Sequence, residues 1–157
     1  MLAGHRVVYF GHGLEDYNKM FNLQELDLKN MRILDCAAGM SSFAAKMHQD
    51  GHQVVAIDPL YQLKKEQLEK SLEPCTENLL SLLQADPSKY DLSGLSPEAE
   101  SARRHDNAQI FLNDFEKGKE EDRYRYTHLP SLDLGTETFD LVLCSHFLFT
   151  YTQDINL

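Results

Sequence analysis

The sequence has little to offer a membrane, a disulfide framework or a polyanion. Its 157 residues hold no apolar run near the roughly 20 residues that a membrane span requires. The opening segment MLAGHRVVYFGHG carries only VVYF as an apolar stretch, too short for a secretory leader. Three cysteines, Cys36, Cys75 and Cys144, make no CxxC pair and no zinc-ligand spacing, so reduced thiols and no metal site are expected. Positive charge is scarce as well: 15 Lys and Arg against 25 Asp and Glu leave a formal net charge of −10. Such a balance repels a phosphate backbone and disfavours nucleic acid as a partner. Together these deficits predict a cytoplasmic protein with no membrane partner.

What is present is the composition of a folded domain, 42% hydrophobic and 25% charged, of a length suited to one domain over residues 1–157. LEDYNKMFNLQELDL, residues 14–28, sets Tyr17, Met20, Phe21 and Leu23 at helical spacing. The region 1–30 is therefore expected to form a lid or a helix covering the core. RILDC reads as a buried strand, AAGMSS as a turn of small residues, and FAAKMHQD as a helix that Gly51 closes. QVVAID is a second buried strand, stopped by Pro59. Strand, helix and strand at this spacing form a βαβ unit with parallel pairing and a right-handed crossover. Residues 63–84 have helical composition, and Pro74 and Thr76 are expected to break them into two pieces. Ser96 and Pro97 start another helix, as N-cap and first helical residue, running to about Lys117. RYRYTHLP (123–130) alternates like a strand, and FDLVLCSHFLF (139–149) is the strongest buried-strand signal. The fold class expected is α/β: a Rossmann-like open parallel sheet flanked by helices.

Open parallel sheets bind ligands at the carboxyl ends of their strands, where this sequence places Asp35, Asp58, Leu129 and Ser145. Between Asp35 and the following helix, Ala37, Ala38, Gly39 and Ser41 leave the backbone N–H groups open to close approach. A nicotinamide dinucleotide calls for G-x-G-x-x-G in this turn, which has one glycine and an acid where the pyrophosphate would press. A ligand without phosphates and with a positive end suits it better. Asp58, nineteen residues beyond Gly39, can accept hydrogen bonds from two vicinal hydroxyls of a ribose.

ILDCAAGMSSF, VVAIDPLY and FDLVLCSHFLFTY resemble the class I S-adenosylmethionine-dependent methyltransferases, over residues 32–151, and YNKMFNL resembles the lead-in helix of some members. By position Asp35, Ala37, Gly39 and Ser41 stand for the family's acid and alternating glycines, with Ala37 and Ser41 replacing two of three glycines. The resemblance implies S-adenosylmethionine as cofactor, with Asp58 on the ribose hydroxyls. It further implies that His128 and Leu129 border the adenine, and that Cys144 to His146 lie near the transferred methyl. For an amine or hydroxyl acceptor, His146 is the candidate general base, with Ser145 or Tyr17 orienting the acceptor. Tyr17 and Phe21 are candidate substrate-pocket residues. Helix capping is the commoner role for either acid taken singly, and strand-end hydrogen bonding for His146. Members continue with three more strands, so the resemblance implies a fold truncated after its fourth strand, in the order three-two-one-four. That strand's open edge would either pair with a second copy, giving a homo-oligomer, or leave a truncated product of limited stability. A methyltransferase with an unidentified small-molecule or protein acceptor is the function expected; a catalytically silent cofactor-binding or interaction module is the alternative.

Overall fold

Hydrophobic patterning decides which segments pair. A computed structural model describes residues 11–127, 132–136 and 138–145. Apolar stretches form β1 (Arg32–Cys36) and β2 (Gln53–Ile57), joined through α2 (Phe43–Gln49). They pair in parallel, Asp35 beside Ala56 and Cys36 beside Ile57. β4 (Leu141–Cys144) flanks β1 on the other side with Cys36 beside Cys144, and β3 (Tyr124–Arg125) flanks β2. The order β3-β2-β1-β4 makes a four-stranded, all-parallel, Rossmann-like sheet.

Three further helices lie among the described residues: α1 (Leu14–Phe21), α3 (Lys65–Ala85) and α4 (Pro97–Glu120). Alternation along the strands sends Ile33, Val54, Ala56 and Leu143 into one core, where residues of all four helices meet them. Leu34, Cys36, Val55 and Ile57 face the other way and are covered by Leu134 and Phe139. Between β2 and β3 the chain makes a long antiparallel hairpin of α3 and α4, with Gln84 bonded to Glu98 and Ser101 to the carbonyl of Thr76. α4 starts as its sequence dictates, Ser96 Oγ accepting the Ala99 N–H at 3.2 Å with Pro97 in the first turn. At its other end Tyr61, Phe111, Phe115 and Tyr124 form a cluster with ring centroids 5.1–5.8 Å apart.

Three expectations are corrected. α3 runs unbroken through Pro74. The exposed proline forfeits one backbone donor, but Leu68, Leu72, Leu79 and Leu83 are buried along the same helix, each worth about 1.5–3 kcal/mol. The first helix ends at Phe21, not near Leu28, because Asn22 turns left-handed at φ 51° and a short helical turn, Leu23–Glu25, follows. Among the described residues β3 spans two, where a strand over 123–130 is expected; residues 128–130 lie outside them. The partner strand pairs Ala56 and Ile57 with β3, the Asp58 N–H still reaching the Arg125 carbonyl at 3.3 Å before Pro59 turns away, and Tyr126 is already 53% exposed.

Candidate functional site

Asp58 leaves β2 in extended conformation and caps the short turn Pro59–Gln62, its Oδ1 accepting the Leu60 N–H at 2.8 Å. Its Oδ2 accepts the Gly39 N–H at 2.9 Å, so the tip of the second strand is tied to the turn after the first. Tyr61 fastens the same turn from the other side, its hydroxyl donating to the Gly39 carbonyl at 2.8 Å. Within the turn Ala37 and Gly39 are both left-handed, at φ 54° and 58°, a conformation that costs a non-glycine residue about 1–2 kcal/mol. Nothing lies within 4 Å of the position a Cβ would take on Gly39, so open space borders the turn there.

The turn's donors are largely spent within the fold. Ala38 N–H reaches the Ile57 carbonyl, Ser41 N–H that of Ala38, and Ser42 N–H that of His12. Ser41 is an organiser: its hydroxyl donates to the His12 carbonyl at 2.9 Å and accepts the Phe43 N–H at 3.0 Å, opening α2. The expected set of backbone donors open to a ligand is therefore reduced. What stands beside the turn instead is a pair of buried acids, Asp35 and Asp58.

Asp35 is fully buried within β1. Its oxygens accept the Tyr17 hydroxyl at 3.0 and 2.9 Å, and Ser145 Oγ lies 3.4 Å from that hydroxyl. Burial pushes the Asp35 carboxyl up to about 8, the Tyr17 hydrogen bond opposing and the charge of Asp58 adding to the rise. Asp58 is raised as well, by burial, against the pull of the Leu60 and Gly39 N–H groups. Among the described residues neither acid has a basic side chain in ion-pair contact. Cys36 is buried and Cys144 half-buried beside it across the strands; burial pushes the Cys36 thiol up to about 12, which keeps it an inert packing group.

Tyr17, expected to touch substrate, is buried and stacks on Phe43 with centroids 4.1 Å apart. Phe21 packs at the edge of the same core. Leu129 and His146 lie outside the described residues, as does His128.

Sequence reasoning missed the network that holds α1 in place. Arg103 grips both oxygens of Asp16 at 3.0 and 2.8 Å and both oxygens of Glu100 at 2.8 Å. Arg104 adds a 2.6 Å bond to Glu100 and contacts the His12 ring. Burial alone would raise the Asp16 carboxyl, but bonds from His12, Arg103 and the Gly13 N–H hold it well below the ordinary carboxylate range. The spacings of His12 with Asp16 and of Glu100 with Arg103 and Arg104 were visible locally, but the join between the two helices was not. Among the described residues no group of three or more His, Cys, Asp and Glu could hold a metal ion, and no helix is long and apolar enough to cross a membrane.

A protein of Methanocaldococcus jannaschii, described as uncharacterized, is 29% identical over 153 residues, which cover 95% of this chain and 67% of the relative. No family model matches the chain, and no solved structure matches it significantly.

Proposed function

We propose that this chain binds S-adenosylmethionine at the carboxyl ends of β1 and β2 and serves a methyltransferase. The observation that carries the reading is a pair of buried acids, Asp35 and Asp58, without basic partners among the described residues, flanking a turn with two left-handed residues. Uncompensated buried acids call for a cation, and the ligand's positive methionine end supplies one. Each Asp58 oxygen accepts one N–H, and a carboxylate has roughly four acceptor sites in all, so acceptor capacity remains for two ribose hydroxyls. The methyl is passed in line to an acceptor held roughly 3–3.5 Å away, so no covalent nucleophile on the protein is required.

Calorimetric titration with S-adenosylhomocysteine tests this without knowledge of the acceptor. Saturable one-site binding is expected, with Asp58→Asn weakening it about tenfold or more, the scale of one lost charged hydrogen bond. Because the ligand's ammonium favours ionised Asp35, binding below pH of about 8 should expel a proton, and affinity should rise from pH 6 toward 8. No binding, or binding indifferent to Asp58→Asn, would sink the reading.

One contact favours a second reading, a binding module without turnover: Tyr17 occupies the carboxylate of Asp35. Stoichiometric binding combined with no methyl transfer to amine, hydroxyl and thiol acceptors would support it. The partner proposed for the outer edge of β4 is a second copy of the chain.

A further inference from the structure

On the side of α1 that faces away from Asp35, a cleft of about 370 Å³ opens between α1, the C-terminal half of α3, residues 89–93 and the start of α4. Its size falls within the range of small-molecule sites. Leu79 and Leu83 belong to the core, yet they line this cleft together with Leu92 and Met20, and Met20 is 38% exposed. The apolar wall thus passes from the interior to the surface. A second opening of about 380 Å³ shares Asp16, Lys19 and Ser93 with the first. Where the two meet, Lys19 Nζ donates to Ser93 Oγ at 2.7 Å.

Charge narrows the ligand class. The acids of the inner wall are already answered: Asp16 by Arg103, and Glu100 by Arg103 and Arg104. Lys19 at the mouth meets a neutral hydroxyl instead of a carboxylate, whereas Lys89 on the same rim is paired with Asp86 at 3.0 Å and Asp91 accepts the Ser93 N–H at 2.8 Å. Among the cations lining the two openings, Lys19 is therefore the one whose contact is a neutral hydroxyl. An apolar wall ending at an unmatched ammonium complements a molecule with an apolar body and one anionic end. We propose that this cleft is a binding site for a small amphipathic carboxylate, its body against Leu79, Leu83 and Met20 and its anion on Lys19 in place of the Ser93 hydroxyl. The site stands independently of cofactor binding at the strand ends.

The probe is anilinonaphthalenesulfonate, which pairs an aromatic body with an anion and fluoresces when held in an apolar site, with octanoate as competitor. Saturable one-site fluorescence, displaced by octanoate, is expected. Lys19→Glu and Met20→Glu, both at exposed positions, should each weaken it about tenfold, equivalent to about 1.4 kcal/mol. Leu26→Glu, at an exposed apolar residue that does not line the cleft, should leave it unchanged. The assignment is overturned if saturation is absent, if Lys19→Glu and Met20→Glu bind like the parent, or if Leu26→Glu weakens binding as much as they do. Equal displacement by octanamide would overturn the anionic class. Neither result bears on S-adenosylhomocysteine binding, so failure here is separable from failure there.

Discussion

Asp35 is an acid that the fold keeps protonated. Its carboxyl sits near 8 in the folded chain against an ordinary value of 3.8, so between those limits the native state holds a proton that the unfolded chain has released. Stability therefore falls as pH rises from about 4 to about 8 and this contribution levels off beyond. Asp35→Asn keeps an acceptor for the Tyr17 hydroxyl and cannot ionise. Thermal midpoints of the variant should be flatter between about pH 5 and pH 8 than those of the parent, and equal slopes would show that Asp35 is ionised in the native state. At this scale the sequence was most informative where chemistry is local: Asp58 and Gly39 were legible because a strand end and a small-residue turn are written in consecutive residues. The hold of Tyr17 on Asp35 was not. Tyrosine at a helical apolar position reads as core, and nothing in spacing says which strand residue its hydroxyl will meet.

Elements show where local preference and packing part company. The proline in α3 argued for a break, and leucines on the buried face overrode it. Pro74→Ala restores the missing donor at an exposed site and should stabilise the fold by about 1–3 kcal/mol in urea denaturation. Gly118 in α4 shows the opposite conflict. A Cβ there would lie 2.3 Å from the Tyr124 ring, so Gly118→Ala, which would help an isolated helix by about 1 kcal/mol, should destabilise this one by about 1–2 kcal/mol through overpacking. A raised denaturation midpoint would mean that Tyr124 yields without cost. Ser96 and Pro97 announced the start of α4 because a cap needs only its neighbours. The network of Asp16, Glu100, Arg103 and Arg104 joins residues 87 apart in sequence, and neither helix carries a mark of the other.

At the scale of the whole molecule, the parallel pairing of β1 and β2 followed from the βαβ unit and the order of all four strands was what the resemblance implied, whereas the length of each strand depended on what its neighbour could offer. β1 is paired on both sides; among the described residues β4 is an edge, with Val142 56% exposed. If that edge recruits a second copy, light scattering should give twice the 18.0 kDa of one chain, and Val142→Lys should shift it toward the monomer. A parent already at 18.0 kDa would dismiss the dimer. The α3–α4 hairpin has a consequence of another kind. It stands between two strands that must lie side by side, so β2 cannot recruit β3 until the hairpin has formed and folded back. Local helical contacts form early, while closing a long loop is slow. Refolding should therefore show helix signal rising ahead of the fluorescence change at Tyr61 and Tyr124, in a chain with no tryptophan to mask it. Two residues of β3, arriving last, are then the first to let go when the native sheet begins to open.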